Sequence, residues 1–413
     1  MVTLPAAARP SRDRASGLPT SRQDTRIAGH SHRGWLDTPR RRGLPSISGG
    51  PEAFPDQLRS SGEGGIATIK ELAERVGVSV ATVSRVLNDY PDVSDETRGR
   101  VLATIREMDW TPDRAARLLA TGRSHTVGVI LETGPGHPDL QHPFFQEVLG
   151  GLKGIVGEEG FDLLLFGATR TRTVGSGSSF LNRAQHHRVE GVVIMGVDRN
   201  DPHVEALTRS GIPCMAIDQD LTGGRTGYVS SDNVGGAALA VRHLHGLGHR
   251  RIALIGGPMD TRPGVDRLLG YRRELGRLGL ESRGGWVVEG DFYPDSGYGA
   301  MVELLSGPEP PTAVFAASDL MAAGALRALE ERGVRVPDDL SILGFDDIPL
   351  AALLRPALST VHQDGEALGR AAGEALLQMV AEPEREAPTI TVPVELVVRG
   401  STGPAPAGTA EGG

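Results

Sequence analysis

The chain has 413 residues, enough for two or three folded units, with 39% apolar residues and a formal net charge of −9 at pH 7. Its single cysteine, Cys214, excludes an internal disulfide, and no spacing of His and Cys suits a metal. No run of eighteen apolar residues and no export signal is present, so the expectation is a cytoplasmic protein with no membrane partner and no cofactor.

Residues 1 to 64 are rich in Arg, Pro, Gly and Ser, lack periodicity, and read as a disordered extension, because so few aliphatics cannot offset chain entropy. An arm touching nucleic acid and a nonfunctional extension from an over-long start assignment both fit. The last residues, 401–413, read as a tail of the same kind. Charge is uneven along the chain: +4 over 1–65, 0 over 66–123 and −13 over the remainder.

From Ile66 the pattern changes to IATIKELAERVGVSVATVSRVLN. Thr68 and Glu71 form a capping box, and Ile69, Leu72, Ala73 and Val76 recur on one helical face. Gly77 supplies a tight turn, Ser79 caps a second helix, and Val83, Val86 and Leu87 give it an inward stripe. That spacing is a helix-turn-helix, the headpiece being 65–112. Val80, Ala81, Thr82, Ser84, Arg85 and Asn88 are left outward. Small Val80, Ala81 and Thr82 admit close approach and can meet thymine methyls, Arg85 suits a guanine edge, and Asn88 a base or phosphate. Thr68, Ser79 and Ser84 suit phosphates. The segment as a whole is electrically neutral, so affinity is expected to rest on paired headpieces and base contacts.

Ser94 starts a third amphipathic helix over 95 to 108, with Val101, Leu102, Ile105 and Met108 expected inward, followed by WTPDRAARLLATGRS. A short Ala/Leu/Arg stretch of this kind is too small to be stable alone. Taken together, TVSRVLN, VSDETRGRVL and WTPDRAARLLATGRS resemble the DNA-binding headpiece and hinge helix of the LacI/GalR family of bacterial transcription regulators, and the resemblance continues to Arg399. It implies that Val80, Ala81 and Arg85 read bases. It also implies that residues 113–123 hold a hinge helix pairing with its dimer mate in the minor groove, where Ala116 and Arg117 surround Leu119 as the wedge that kinks the duplex. Packing between domains is the other reading of Leu119.

From Ser124, short unalternated apolar runs alternate with amphipathic helices, as buried parallel strands should. VGVILE, FDLLLFGA, GVVIMGV and PCMAID form a first series; YVSSD, RIALIGG, WVVEGD, AVFAASD and LSILGFDD form a second. The glycines of RRIALIGGP do not make GxGxxG, which argues against a nucleotide cofactor. The expected fold is an all-α helix-turn-helix headpiece plus an α/β periplasmic-binding-protein-like core of two Rossmann-like subdomains, one over 124–228 and 362–383, the other over 229–361 and 388–400. The last crossing is expected to end in one strand, Ile390 to Arg399.

The resemblance also populates a ligand cleft between the subdomains. Phe144 and Phe145 of HPFF match the family's paired aromatic position, with one of the two expected in the core. Phe292 matches the opposite wall, Arg267 the arginine of an RxxGY motif, and Asp346 of GFDD the aspartate that faces it. Asp346 and Asp347 are not both expected to be ligand groups, one of them capping a helix or turn, and Asp319 is expected to cap the helix after it. Ser318 stands where the family has asparagine, and the loop GPGHPDLQH is longer than the family's. An arginine and a carboxylate together grip hydroxyls with charge-assisted hydrogen bonds.

The implied function is a homodimeric repressor bound to double-stranded operator DNA and switched by a small-molecule effector, a sugar ahead of a nucleobase, as inducer or corepressor. A solute-binding protein would share the cleft but has no use for the headpiece. An enzyme would need a nucleophile with a base beside it, a constellation this sequence lacks.

Overall fold

The computed structural model describes residues 68–87, 90–108, 123–131, 139–167, 179–197, 201–221, 223–281 and 284–406. The expected extension, the hinge stretch over 109–122, Asn88 and residues 407–413 lie outside the described residues, whereas the start of the expected tail is ordered: Ser401 is buried and its hydroxyl donates to the Ile342 carbonyl at 2.6 Å. No described helix is long and apolar enough to cross a membrane.

Three helices open the described chain: α1 (Ile69–Val76), α2 (Val80–Leu87) and α3 (Asp95–Glu107). Thr68 closes a capping box with Glu71, accepting from its backbone N–H while the Glu71 carboxylate takes the Thr68 N–H at 2.7 Å. Gly77 then ends α1 at φ 78°, a left-handed turn that glycine adopts without steric cost. Arg100 reaches back from α3 to the carbonyl of Val76, satisfying an end of α1 that would otherwise lack a partner. Leu72, Ala73, Val76, Val83, Val86 and Val101 form the small core. Leu102, expected inward, is 43% exposed. At 100° per residue Val101, Ile105 and Met108 share a stripe, and the residue after Val101 turns away from it.

The remainder forms two lobes. In the first are β1 (Thr126–Leu131), α4 (Pro143–Glu158), β2 (Asp162–Phe166), α5 (Phe180–His186), β3 (Gly191–Met195), α6 (Pro202–Thr208), β4 (Cys214–Ile217) and β5 (Thr226–Ser231). The second holds α7 (Asn233–Gly246), β6 (Ile252–Gly256), α8 (Arg262–Arg277), β7 (Val287–Glu289), α9 (Pro294–Ser306), β8 (Ala313–Ala316), α10 (Asp319–Glu331), β9 (Ser341–Asp346), α11 (Pro349–Leu353) and β10 (Ser359–Gln363). Then α12 (Gly365–Ala381) packs against α4, while β11 (Thr389–Val392) and β12 (Val394–Val397) divide between the sheets.

The sheet orders are β11-β5-β4-β3-β1-β2 and β12-β10-β9-β8-β6-β7. Both read 2-1-3-4-5 in their own strand sequence, with a sixth strand added at the far edge, the doubly wound order that leaves a crevice at the strand C-termini. Fully buried β1, β3, β4 and β8 explain the unalternated apolar runs, since helices cover both faces.

The crossings differ from expectation by a few residues. YVSSD belongs to the first sheet, where Ala216 of β4 lies opposite Tyr228 and Val392 of β11 opposite Ser231. The chain therefore leaves the first lobe after Ser231, not after Tyr228. On the return, His362 still pairs with Asp346 in the second sheet. The expected single last strand is two: β11 runs parallel to β5, and β12 runs antiparallel to β10. Pro393, which has no N–H to give a ladder, stands at the switch. Apolar runs report burial in either sheet alike, so only the pairing partners decide which lobe a strand joins. Asp232 and Asp364, at the first two crossings, each cap the helix that follows.

Candidate functional site: headpiece surface and interlobe cleft

Two places bring functional chemistry together. On the headpiece, Ser79 caps the start of α2, its hydroxyl accepting from the Thr82 N–H at 3.1 Å and lying 2.8 Å from the Thr82 hydroxyl. Val80, Ala81 and Arg85 are exposed, Thr82 and Ser84 half-buried, and Val83 and Val86 turned into the core. The outward set is thus one continuous helix face. Arg85 leans on Asp92 at 3.4 Å, with both side chains more than half exposed. Such a pair contributes about 0–1 kcal/mol and yields readily to a competing acceptor. Thr68 is exposed at the start of α1, its hydroxyl already engaged by the Glu71 N–H. Asn88, Ala116, Arg117 and Leu119 lie outside the described residues.

The second place is the crevice between the lobes. Arg267, on α8, is only 3% exposed and acts as its hub. Its Nε donates to Asn233 Oδ1 at 2.8 Å, one terminal nitrogen donates to the Ala317 carbonyl and lies 3.5 Å from Asp346 Oδ1, and the other lies 3.5 Å from Gln363 Oε1. The guanidinium stacks 3.6 Å over the Phe345 ring and stands 5.7 Å from that of Phe292. Asp218, Asp319 and Asp346 all lie near enough to act on its charge, so the hub is one cation among three buried carboxyls.

Asp346 stands at the end of β9 with φ 117°, followed by Asp347 at φ 60°. Two successive residues of this kind hold a backbone region that favours glycine, a strained end to the strand. Its Oδ1 accepts from Gln363 Nε2 at 2.6 Å, while Oδ2 is buried with no hydrogen-bond partner. Burial raises the Asp346 pKa in spite of Arg267, and Asp218 is pushed up to about 6 for the same reason. Asp347 takes a structural task, pairing with Arg399 at 2.6 Å and His362 at 3.3 Å.

Phe292 also has a positive φ, 71°, which a bulky side chain adopts only under constraint. Its ring lies on Gly257, where an added Cβ would come within 2.2 Å of it. Phe144 is buried in the first-lobe core and Phe145 half-buried beside it, ring centroids 5.5 Å apart.

Ser318 is 1% exposed. Its hydroxyl caps α10 by accepting from the Met321 N–H at 3.1 Å and donates to the Phe292 carbonyl at 3.2 Å. Cap and carboxylate therefore exchange roles relative to expectation. Asp319 does not cap the helix; its two oxygens accept from the Thr360 hydroxyl at 2.6 Å and the Ile348 N–H at 3.0 Å.

The structure adds cleft residues that sequence reasoning missed. Asn233 bridges Arg267 to Asp218, at 3.4 Å from the latter, and Gln363 holds Asp346. Asp218 and Gln363 each sit at the C-terminal end of a buried strand, the one sequence signal that could have found them. Across the cleft, Arg262 of the second lobe pairs with Asp220 of the first at 2.8 Å, and the His142 ring meets that of Tyr293 at 5.6 Å. Among the described residues no cluster of three His, Cys, Asp or Glu is placed to hold a metal ion.

Residues 68–113 match the family model described as bacterial regulatory proteins, lacI family, and residues 241–402 match a periplasmic binding protein-like domain. The HTH-type transcriptional repressor PurR of Erwinia tasmaniensis is 35% identical over 343 residues, 83% of this chain and 98% of that protein. Among solved structures, a transcriptional regulator CelR–cellobiose complex is 34% identical with a TM-score of 0.63, covering 81% of this chain and 99% of the other. The Lac repressor dimer bound to operator and the anti-inducer ONPF is 30% identical with a TM-score of 0.69, at the same coverage. A LacI family regulator from Enterococcus faecium with bound ribose is 30% identical, with a TM-score of 0.57, over 68% of this chain and 99% of that one. These matches run through the helix-turn-helix as well as the cleft: the chain belongs to the LacI family of bacterial regulatory proteins and is a DNA-binding transcriptional repressor.

Proposed function

We propose that this repressor works as a homodimer whose hold on a pseudo-palindromic operator is switched by a sugar bound between the lobes. The observation that carries the reading is Asp346 Oδ2, buried without a hydrogen-bond partner on a carboxyl whose other oxygen lies 3.5 Å from Arg267. A bare buried acceptor costs on the order of 1–3 kcal/mol, a cost that a ligand hydroxyl removes. Phe292 gives the apolar face of a sugar ring a surface to lie on. Support also comes from the CelR and Enterococcus relatives, solved with cellobiose and with ribose.

In this reading Val80, Ala81 and Arg85 contact bases, Thr82 beside them admits close approach to a thymine methyl, and Thr68, Ser79 and Ser84 hold the phosphate backbone. Asn88 and the hinge residues Ala116, Arg117 and Leu119 complete the interface. Effector binding favours one relative placement of the lobes, and operator affinity follows by the effector's differential affinity for the two forms.

The test is a thermal-shift screen of the full chain with ribose, glucose, cellobiose and hypoxanthine, followed by operator binding with each. A sugar that raises the melting temperature and changes operator affinity, with both effects lost in Asp346→Asn, is the expected result. A response to hypoxanthine alone rejects the sugar, and an unaltered response in Asp346→Asn rejects the site.

A further inference from the structure

The segment that enters the first lobe is tied down at the end of the sheet opposite the cleft. Arg123 is the first described residue after the expected hinge stretch, and β1 begins at Thr126. Each of the three residues ahead of the strand is fastened. Arg123 Nε donates to Glu190 Oε2 at 2.9 Å, and a terminal nitrogen lies 2.8 Å from the same oxygen. The Ser124 hydroxyl donates to the Arg188 carbonyl at 2.6 Å. The His125 N–H donates to Glu190 Oε1 at 2.7 Å, and the His125 ring lies 5.0 Å from that of Phe161. His125 has φ 48° and Arg188 φ 52°, a backbone region that favours glycine, so the two turns that meet here are both constrained.

Glu190, just before β3, joins these contacts. Its side chain is 12% exposed against 47% for Arg123, and both carboxylate oxygens are spent on the entering segment. β1 does not need them. It is fully buried, pairing with β2 over Thr126–Ile130 and with β3 over Val127–Leu131. The carboxylate therefore serves the chain ahead of the strand rather than the sheet. At about 3.3 Å per residue, the six residues of β1 separate this clamp from the strand C-termini where the lobes face each other, so it is no part of the cleft.

We propose that Glu190 is a positioning residue for operator binding, touching neither DNA nor effector. Its carboxylate fixes the point and direction in which the chain leaves the first lobe for the headpiece, and so sets which half-site spacing the paired headpieces accept. This rests on the homodimer reading above and adds a residue that reading does not use. Two headpieces on loose tethers follow half-sites that are moved apart, whereas two on fixed exits do not. Each inserted base pair moves a half-site by about 3.4 Å along the duplex and turns it about the axis. The charge-assisted bond from Arg123, with the His125 N–H on the other oxygen, resists that displacement because both oxygens must be given up together. Freeing residues 123–125 also adds conformational entropy that DNA binding must remove again.

The experiment uses the full chain and a duplex that wild type selects from a random pool. The duplex is remade with its centre one or two base pairs longer or shorter, and as a single half-site measured at low salt, where such binding is strongest. Glu190→Ala removes the clamp. Glu190→Gln keeps an acceptor for the His125 N–H but no charge for Arg123, and Arg123→Lys keeps the charge but not the planar guanidinium. Unliganded melting curves certify each fold, and Glu190→Gln, which has the same shape, stands in if Glu190→Ala does not fold.

The expected result for Glu190→Ala is a loss on the order of tenfold on the selected duplex, with single half-site binding unchanged. Its dependence on spacing should be flatter, so that the re-spaced duplexes lose less than they do with wild type. Glu190→Gln and Arg123→Lys should fall between. Arg123→Ala combined with Glu190→Ala should be no weaker than Glu190→Ala alone, since the pair acts as one unit. An unchanged spacing profile overturns the proposal, and so does an equal loss on paired and single half-sites. A further loss in the double variant makes Arg123 a separate phosphate contact and overturns the clamp. A wild type that binds the single half-site as tightly as the pair overturns the homodimer reading and the positioning role together, which separates that failure from the others.

Discussion

The headpiece and the cleft use the same side-chain chemistry in opposite environments. Arg85 lies on a solvent-exposed helix face with a loose partner at 3.4 Å, whereas Arg267 is buried in hydrogen bonds from several segments of its own lobe and a stack on Phe345. An exposed arginine can be removed at little cost to the fold, and in the proposed reading it acts only when DNA arrives. A buried one holds the fold of its own site, so its loss confuses binding with stability. Function in the headpiece is therefore readable from single substitutions, while the cleft calls for variants that keep volume and charge.

That contrast can be broken most sharply at Arg267. Arg267→Leu should cost about 3–5 kcal/mol in urea denaturation, because it leaves buried carboxyls without their cation; a loss under 1 kcal/mol would mean that the cleft is as forgiving as the headpiece. The pH profile comes next. Asp218 has a folded pKa of about 6 against an ordinary 3.8, so the native state keeps a proton that the unfolded chain releases. Its contribution makes stability fall as pH rises from about 4 to 6, by on the order of 3 kcal/mol. His142 runs the other way: its folded pKa of about 4 lies below 6.5, so stability falls as pH drops through that window. Asp218→Asn should flatten the first slope and His142→Phe the second in melting curves from pH 4 to 7, and an unchanged profile in both refutes the burial account.

On the headpiece, Arg85→Ala should cost about 1–3 kcal/mol on the operator and relax choice at one base pair, without lowering the melting temperature. An equal loss on every DNA sequence would make Arg85 a phosphate contact. The smallest effect is expected at its partner. Asp92→Asn should raise operator affinity by less than about 1 kcal/mol, since it removes an exposed competitor for Arg85, and weaker binding would show that Asp92 positions the arginine instead.

The headpiece was legible because its cues are local. The Thr68 and Glu71 pair, Gly77 and the stripe through Val83 and Val86 each act within one or two turns of chain. In the cleft the motifs pointed to Arg267, Asp346 and Phe292, but not to His142, Asn233 or Gln363. Of these, Asn233 and Gln363 have no common spacing and meet at Arg267 only because segments far apart in the chain end at one crevice. Ser318 and Asp319 show the same limit. Both stand at a helix start and both could cap it, and the cap fell to Ser318 because Thr360 and Ile348, from other elements, engage the Asp319 carboxylate.

Short-range periodicity, caps and turns, which depend on residues a few positions apart, were enough to determine the helix-turn-helix and the alternation of buried strands and helices, while the family rested on the resemblance of whole motifs. Which sheet β5 and β11 joined, where Pro393 split the last strand, and which polar atoms were left bare at the cleft were decided by tertiary pairing, because hydrogen-bond partners and burial belong to segments that the sequence keeps far apart.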